Sequence, residues 1–551
     1  MSVDPYHTRV NQRASLRAVM FVSVVALLAG CTSVSPSPSA SASASQSATA
    51  SPSPTPTASP IPTPPATFPL AVVTGITNLK AVVTLDELRS LADGGKLIVP
   101  CGVTVTEPTL STSGECVAAD KIAASVKKGQ ERVALLPPGL VTPATKVLAI
   151  AGDGPFGMFG PDLFGDPESR ALPYPITGEA MVGDPATDPD TLDQTWTAYN
   201  PDEVWTLTNL GSLCADRGAA YQAVGLGKGW DWAFDGGTAK YPKPAVVDPR
   251  NPPPFEGLAF VRPIDTGNDG ATADVVKRSD LAIADHECPI LPDSQWRPAT
   301  GGSVSLSVPE ELIGQWKDKL GIDVLYIAAN HLSDRGVAGI KSTLDLLKKH
   351  DLPASGLGMD LDEALEPAYA DVAGLKVAVV SFNDVAGVTP AAANTAGVAW
   401  ITQSNIDTAV KRAKDGGADL VICAPQWWGG AEYHDDLWPT QEKQITWFDD
   451  AGCDQVIGSG THVAGPLLVR GTGKDANVVL VSPGNYMFGQ DWWQEVQEGV
   501  ILDLTFRGTQ LVNVRMRPTV QILQARPALL DPEADGRYVL ERIWKYATLD
   551  Y

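Results

Sequence analysis

The sequence predicts an α/β protein, a helix-covered sheet over the C-terminal two-thirds, preceded by a smaller α/β region and an unstructured stalk. Three observations carry this. From about Asp202 onward, short and nearly continuous apolar runs alternate with amphipathic helical patterns, as in strands buried between helix layers. The 551 residues exceed what one hydrophobic core usually supports. Hydrophobic residues make up 44% of the chain, enough for large cores, whereas residues 31–67 are a Ser/Pro/Ala/Thr tract that cannot build one.

The chain opens with a basic segment carrying Arg9, Arg13 and Arg17, then an apolar run from Val19 to Leu28. That run is too short to stay in a bilayer as a spanning helix. It ends in Leu27-Leu28-Ala29-Gly30-Cys31, which resembles a bacterial lipobox. Residues 1–30 therefore read as a lipoprotein signal peptide and Cys31 as the lipidated residue. This implies attachment to the cell membrane on its extracytoplasmic face. Residues 31–67 read as an extended stalk.

Residues 68–200 form the first globular region. Leu70–Val73 has strand character, and Thr84 with Glu87 three residues on predicts a capping box at a helix start. A second apolar run, Thr145–Ala151, precedes a Gly/Pro/Phe-rich loop, Gly152–Pro167. The segment loosely resembles a lobe of periplasmic phosphate-type solute-binding proteins. Its role stays open between that and a structural spacer.

Residues 201–518 carry the regular pattern. Strands are expected at Val204–Leu210, Leu281–Ala284, Val324–Ala329, Lys376–Phe382, Leu420–Ala424, Gln455–Gly458, Asn477–Val481 and Val500–Phe506. Helices are expected at Pro309–Leu320, Val337–His350, Ser404–Asp415 and Thr440–Asp450. Residues 519–551 read as a C-terminal extension, a short strand and a helix packed on the outside.

The formal charge of −23 and pI near 4.6 argue against a nucleic-acid partner, which needs clustered Lys and Arg. Six cysteines follow Cys31, an even number for an oxidising compartment. Cys101 and Cys116 flank a Gly/Ser/Thr-rich stretch and make the easiest local disulfide. Ligands in open α/β sheets sit beyond the C-terminal strand ends. Four of the six histidines, His286, His331, His434 and His462, fall at or just after strand-like runs.

Six segments in order carry a family resemblance: LGSLCADRG (Leu210–Gly218), SDLAIADHECPI (Ser279–Ile290), AANHLSDRGVAGIKSTLDLL (Ala328–Leu347), QWWGGAEYH (Gln426–His434), AGCDQVIGSGTHVAGPL (Ala451–Leu467) and VSPGNYMFGQ (Val481–Gln490). Together they resemble the CapA family of poly-γ-glutamate capsule synthesis proteins, within the calcineurin-like metallophosphatase superfamily. The resemblance implies a β-sandwich flanked by helices, with metal bound at strand ends. It places Glu287, Asn330, His331 and His462 at ligand positions, and it makes Glu287, Asn330 and His331 the candidate catalytic residues, His331 as general acid.

This sequence departs from the family pattern at three ligand positions. Ser212 stands where an aspartate is expected, Trp427 (or Gln426) where a histidine is, and Gly460 where the first histidine of Gly-His-x-His is. Asp285 and His286 are possible substitute ligands, and His434 is another whose reach the sequence does not give. One divalent cation at most, or a metal-free site, is therefore expected. In such a fold Cys214 and Cys288 lie in neighbouring loops, and Cys423 and Cys453 on adjacent strands. Both are candidate disulfides, with free buried thiols as the alternative.

Trp427, Trp428, Trp492 and Trp493 read either as an aromatic platform or as core, and Asp216 with Arg217 as an internal ion pair. The implied function is a surface-anchored protein acting on an anionic envelope polymer of poly-γ-glutamate type, or with capsule-synthesis machinery. The rival is a non-catalytic ligand-binding or scaffold lipoprotein with a vestigial cleft.

Overall fold

A computed structural model describes residues 66–107, 110, 116–127, 132–180, 199–234, 238–241, 264–269, 272–299, 303–428, 432–471 and 475–550. The signal segment, Cys31 and the stalk up to residue 65 lie outside the described residues. Pro62–Tyr551 forms a single compact unit.

Four strands build the first sheet: β1 (Ala71–Gly75), β2 (Leu97–Ile98), β3 (Val133–Leu136) and β4 (Thr145–Val147), in the order β2-β3-β1-β4. Helix α1 (Leu85–Asp93) starts where expected. Thr84 Oγ1 accepts from Glu87 N at 3.1 Å, and Thr84 N donates to Glu87 Oε2 at 2.8 Å. Leu88 of α1 packs with Val72, Val83, Leu135 and Leu148.

Most of the remaining strands make two larger sheets. β5 (Val204–Cys214), β6 (Leu281–His286), β7 (Val324–Tyr326) and β8 (Ala354–Ser355) lie parallel side by side. The chain then crosses to the second sheet through the hairpin β9 (Ala368–Val372) and β10 (Leu375–Asn383). Parallel strands β11 (Leu420–Gln426) and β12 (Gln455–Ile457) follow, then the hairpin β13 (Leu467–Arg470) and β14 (Asn477–Leu480). β15 (Asn485–Phe488), β16 (Glu498–Arg507), β17 (Gln510–Ile522) and β18 (Arg526–Leu529) return to the first of these sheets. β19 (Thr548–Asp550) closes the second. The orders are β8-β7-β6-β5-β16-β17-β18, with β15 also on β5, and β9-β10-β11-β12-β14-β13-β19.

Residue alternation explains the layering, because successive strand side chains point to opposite faces. In β6, Ile283 joins the core between the sheets, while Ala282 and Ala284 join the core beneath the helices. In β10, Val377 and Val379 face inward, and Ala378 and Val380 face the other helix layer. Both faces are apolar, which is why these strands read as continuous runs. Helix α2 (Gly336–Lys349) covers one sheet through Ile340, Leu346 and Leu347. Helices α3 (Gln403–Asp415) and α4 (Pro439–Ala451) cover the other through Ile406, Val410, Ile445 and Phe448. The result is the expected helix-flanked β-sandwich.

Three local expectations change. The helix expected at Pro309–Leu320 begins after a two-residue strand as Glu311–Gly314 and continues as a π-turn over Gln315–Leu320. The strand β17, not expected from the sequence, crosses the boundary expected between residues 518 and 519. The last residues do not sit outside. Val539, Leu540 and Ile543 of helix α5 (Arg537–Lys545) are buried in the inter-sheet core, and β19 extends a sheet.

Candidate functional site

The parallel strands of both sheets end at one edge, and the polar residues gather there. β5 and β6 pair in register from Leu207 with Leu281 to Leu210 with Ala284, then shift before Leu213 meets His286. Strand periodicity sends Asp285 to one face and His286 to the other. Ser212 Oγ donates to Asp285 Oδ2 at 2.7 Å, both residues being buried. Burial pushes the Asp285 carboxyl up to about 7, against the opposing hydroxyls of Ser212 and Ser459.

Glu287 follows the strand with its backbone N–H on Leu213 O at 3.1 Å. It is fully buried, and neither carboxylate oxygen has a hydrogen-bond partner among the described residues. Burial raises its pKa well above the usual range, and the charges of Asp285 and Glu432 raise it further. Across from it, His462 Nε2 lies 3.6 Å from Glu287 Oε1.

The His462 tautomer follows from its other nitrogen. Asn485 Nδ2 donates to Gln490 Oε1 and Val496 O, each at 2.9 Å, so Asn485 Oδ1 is the atom facing His462 Nδ1 at 2.9 Å. An acceptor there puts the proton on Nδ1. Nε2 of the neutral ring is then an acceptor facing a carboxylate, and burial lowers the His462 pKa. With burial raising the Glu287 pKa, a carboxyl proton directed at Nε2 would satisfy both atoms across the 3.6 Å gap, as would a cation between them.

A further buried acceptor follows β7. Asn330 Oδ1 is buried without a partner, while Asn330 N donates to Gln426 Oε1 at 2.7 Å. Gln426 is held in turn by Asn383 Nδ2. Among the described residues no three His, Cys, Asp or Glu side chains form a metal cluster. The donor set that fits a single cation instead combines a carboxylate, an imidazole nitrogen and an amide oxygen: Glu287, His462 and Asn330.

His331 stands at the rim. Its Nδ1 pairs with Asp334 Oδ2 at 2.8 Å, and the same carboxylate accepts Leu306 N at 2.7 Å. Its ring lies 6.3 Å from that of Phe488, which is 4.7 Å from His462. The Asp334 bond fixes the ring, leaving Nε2 for proton transfer.

Other anticipated residues are not brought here. The His286 ring packs tilted against Trp316 with centroids 4.6 Å apart, and burial pushes its pKa down to about 4. His434 Nδ1 contacts Asp436, and its ring contacts Trp438 at 5.1 Å. Trp427 is wholly buried, donating Nε1 to Val481 O at 2.7 Å and packing on Phe448. It is core rather than platform. Gly460 sits at φ +96°, and a Cβ there would meet Gln426 Cγ at 2.8 Å.

Sequence reasoning missed Asp334 and Tyr433, and named Gln426 only as the alternative to Trp427 at a lost histidine position. Gln426 ends an apolar strand on the site edge, a signal that was readable. Tyr433 (φ +62°) lies against His462 and the Trp492 and Trp493 rings, and nothing in its spacing announced that. The three expected disulfides are all present: Cys101–Cys116, Cys214–Cys288 and Cys423–Cys453, with Cα separations of 4.8, 5.7 and 5.8 Å.

Residues 266–490 match the family described as bacterial capsule synthesis protein PGA_cap. The chain is 30% identical over 247 residues to the capsule biosynthesis protein CapA of Bacillus anthracis, covering 43% of this chain and 58% of that protein. It is 31% identical over 219 residues to the PGA biosynthesis protein CapA of Bacillus subtilis (strain 168), covering 40% and 56%. The matched part thus spans less than two-thirds of these curated relatives. Among solved structures, a 5'-nucleotidase precursor from Thermus thermophilus overlaps 62% of this chain and 58% of its own, with 14% identity and a TM-score of 0.31. The NAD nucleotidase NadN of Haemophilus influenzae overlaps 63% and 64%, with 13% identity and a TM-score of 0.32. Overlaps this loose carry no argument. The fold rests on the sheet order and packing given above.

Proposed function

We propose that this chain, a member of the CapA family of bacterial capsule synthesis proteins, serves the synthesis or processing of an anionic envelope polymer of poly-γ-glutamate type. It does so from the extracytoplasmic face of the cell membrane, held by lipid on Cys31 and working beside capsule-synthesis machinery. The observation that carries this reading is the family match over residues 266–490, which spans Asp285, Glu287, Asn330, His331, Gln426, His462 and Asn485.

A single divalent cation would be held by Glu287, Asn330 and His462, with Asp285 and Ser212 behind them. When bound it would polarise an oxygen of the substrate or of water. The chain's own residues supply the rest. Asn485 orients His462, Gln426 fixes the Asn330 backbone, and Asp334 holds His331 to exchange a proton at Nε2. The buried walls of Trp427 and Phe488 exclude water and strengthen each charge interaction inside.

The rival reading is a binding or scaffold protein with a vestigial cleft. It is favoured by one feature: a serine, a buried tryptophan and a glycine at positive φ hold the three family ligand positions. Metal content by mass spectrometry separates the two, on full-length protein dialysed with Mn, Zn, Fe or Ca beside Glu287→Gln. About one ion per chain in the wild type and none in the variant supports the cation site. No ion under any condition turns the function toward polymer or partner binding. Deleting the gene in its own host should lower γ-linked glutamate in the surface polymer, and unchanged polymer would sink the family-based reading.

A further inference from the structure

Arg217 stands in the first loop of the site in a conformation that needs explaining. Its φ is +49°, a left-handed backbone that a residue with a long side chain rarely adopts. The expected ion pair with Asp216 is not what holds it. The Asp216 carboxylate is spent on three backbone N–H groups, those of Arg217 (2.8 Å), Ala299 (2.8 Å) and Ser307 (2.9 Å). The Arg217 guanidinium reaches away, with Nη1 on Gly489 O at 3.2 Å and Nε and Nη2 on Ser303 O, each at 3.3 Å.

Every one of these acceptors is a neutral carbonyl. Among the described residues no carboxylate forms an ion pair with this half-buried cation, although Asp216, Tyr433, Asp334 and Glu287 are within its electrostatic reach. The position is also built rather than incidental. The Arg217 side chain lies across Gly489, where an added Cβ would come within 2.8 Å of Arg217 Cβ and Cδ. Gly489 adjoins Phe488, whose ring contacts both His462 and His331. A guanidinium on a strained backbone, bonded only to carbonyls, is thus clamped at the mouth of a site whose interior is a set of unpaired acceptors.

We propose that Arg217 is the anion-binding residue of this site, holding a carboxylate or phosphoryl group of the substrate between its guanidinium and the His331–His462 edge. This rests on the reading of the chain as a protein acting on an anionic envelope polymer. Arg217 supplies local positive charge that the strongly acidic chain otherwise withholds from a polyanion. A guanidinium suits the task because it stays charged when half-buried and offers a planar fork of donors.

The test is titration calorimetry of full-length protein in detergent with two probes, poly-γ-glutamate and inorganic phosphate, for the wild type, Arg217→Asn and Arg217→Lys. Asparagine tolerates positive φ, so Arg217→Asn should keep or raise the melting temperature while weakening anion binding roughly tenfold. Arg217→Lys should fall between the two. Gly489→Ala, which keeps the charge but displaces it, should also weaken binding. If the wild type binds poly-γ-glutamate and Arg217→Asn binds it equally, the polymer reading stands and the role of Arg217 is overturned. If only phosphate binds, and in an Arg217-dependent way, the anion role stands and the poly-γ-glutamate reading falls. Binding of neither probe by the wild type overturns the anion role itself.

Discussion

Glu287 Oε1 and His462 Nε2 face each other at 3.6 Å in a buried pocket, and Ser212 stands beside it. Its hydroxyl donates to Asp285 where an aspartate would add a second negative charge. Ser212→Asp would place that charge beside Asp285 and Glu287, whose carboxyl pKa values burial already raises above the usual range. Without a cation the variant should lose on the order of 2 kcal/mol or more. Added Mn or Zn should restore the loss, and thermal unfolding with and without chelator reads both effects. A variant as stable as the wild type in chelator would show that the pocket is wetter than described.

Restoring Gly460→His is not the equivalent experiment, because φ +96° and the Gln426 contact oppose any side chain there. The sequence motifs pointed to Glu287, Asn330 and His462, and the structure sets Glu287 against His462, with Asn330 held through its backbone on Gln426. They also offered His286, which the period-two rule could have removed, since Asp285 and His286 cannot face the same side of β6. The tautomer of His462 and the strain at Arg217, Tyr433 and His462 were beyond reading from motifs, because they depend on chain reversals set by distant packing.

At the scale of elements, legibility followed burial. Strands apolar on both faces were found to within a few residues, since nothing else in a chain is so continuously hydrophobic. β17 was missed because Arg515 and Arg517 interrupt its pattern. Arg515 faces Asp162 and Arg517 faces Asp503 rather than solvent, and sequence does not reveal a buried partner as distant along the chain as Asp162. The disulfide Cys214–Cys288 ties the last residue of β5 to the loop after β6, one residue beyond Glu287. It closes a separation of 74 residues, for which loop entropy alone amounts to about 4 kcal/mol. Cys214→Ala with Cys288→Ala should therefore lower the unfolding midpoint and also weaken whatever the site binds, because Ser212 and Glu287 lose their common tether. Mapping of unreduced peptides checks the bond. An unchanged midpoint with the bond removed would mean the two loops are fixed by packing alone.

At the scale of the whole molecule, the N-terminal region is joined to the sandwich through β17 and cannot be treated as an ornament. Val147 N donates to Asn513 Oδ1 at 3.0 Å, and Arg515 Nη2 bonds both Val147 O (3.1 Å) and Asp162 (2.5 Å). Val512 packs with Ala71, Val73 and Leu136 of the first sheet. Lys146, between Thr145 and Val147 of β4, is buried in this junction with Nζ on Asn78 O. Burial and the nearby Arg515 push its pKa down to about 7, with Glu533 opposing.

The sign of the resulting pH dependence follows. Burial favours the neutral amine, so folding releases a proton between about pH 7, the folded value, and about pH 10.4, the unfolded one. The group's contribution is therefore fully present above the unfolded value near 10.4 and is lost as pH falls toward about 7, below which the penalty is constant. Lys146→Met removes the titrating group and keeps the stem. It should stabilise the protein by a few kcal/mol at and below about pH 7, with a gain that shrinks toward about pH 10. Denaturant unfolding across that range measures it. A gain independent of pH would mean that Lys146 stays protonated in the fold. Because the junction holds both sheets of one unit, the same experiment asks whether the N-terminal region unfolds with the sandwich. One transition in the wild type and in the variant would make the region part of the scaffold that positions β5 and its site residues, rather than a separate module.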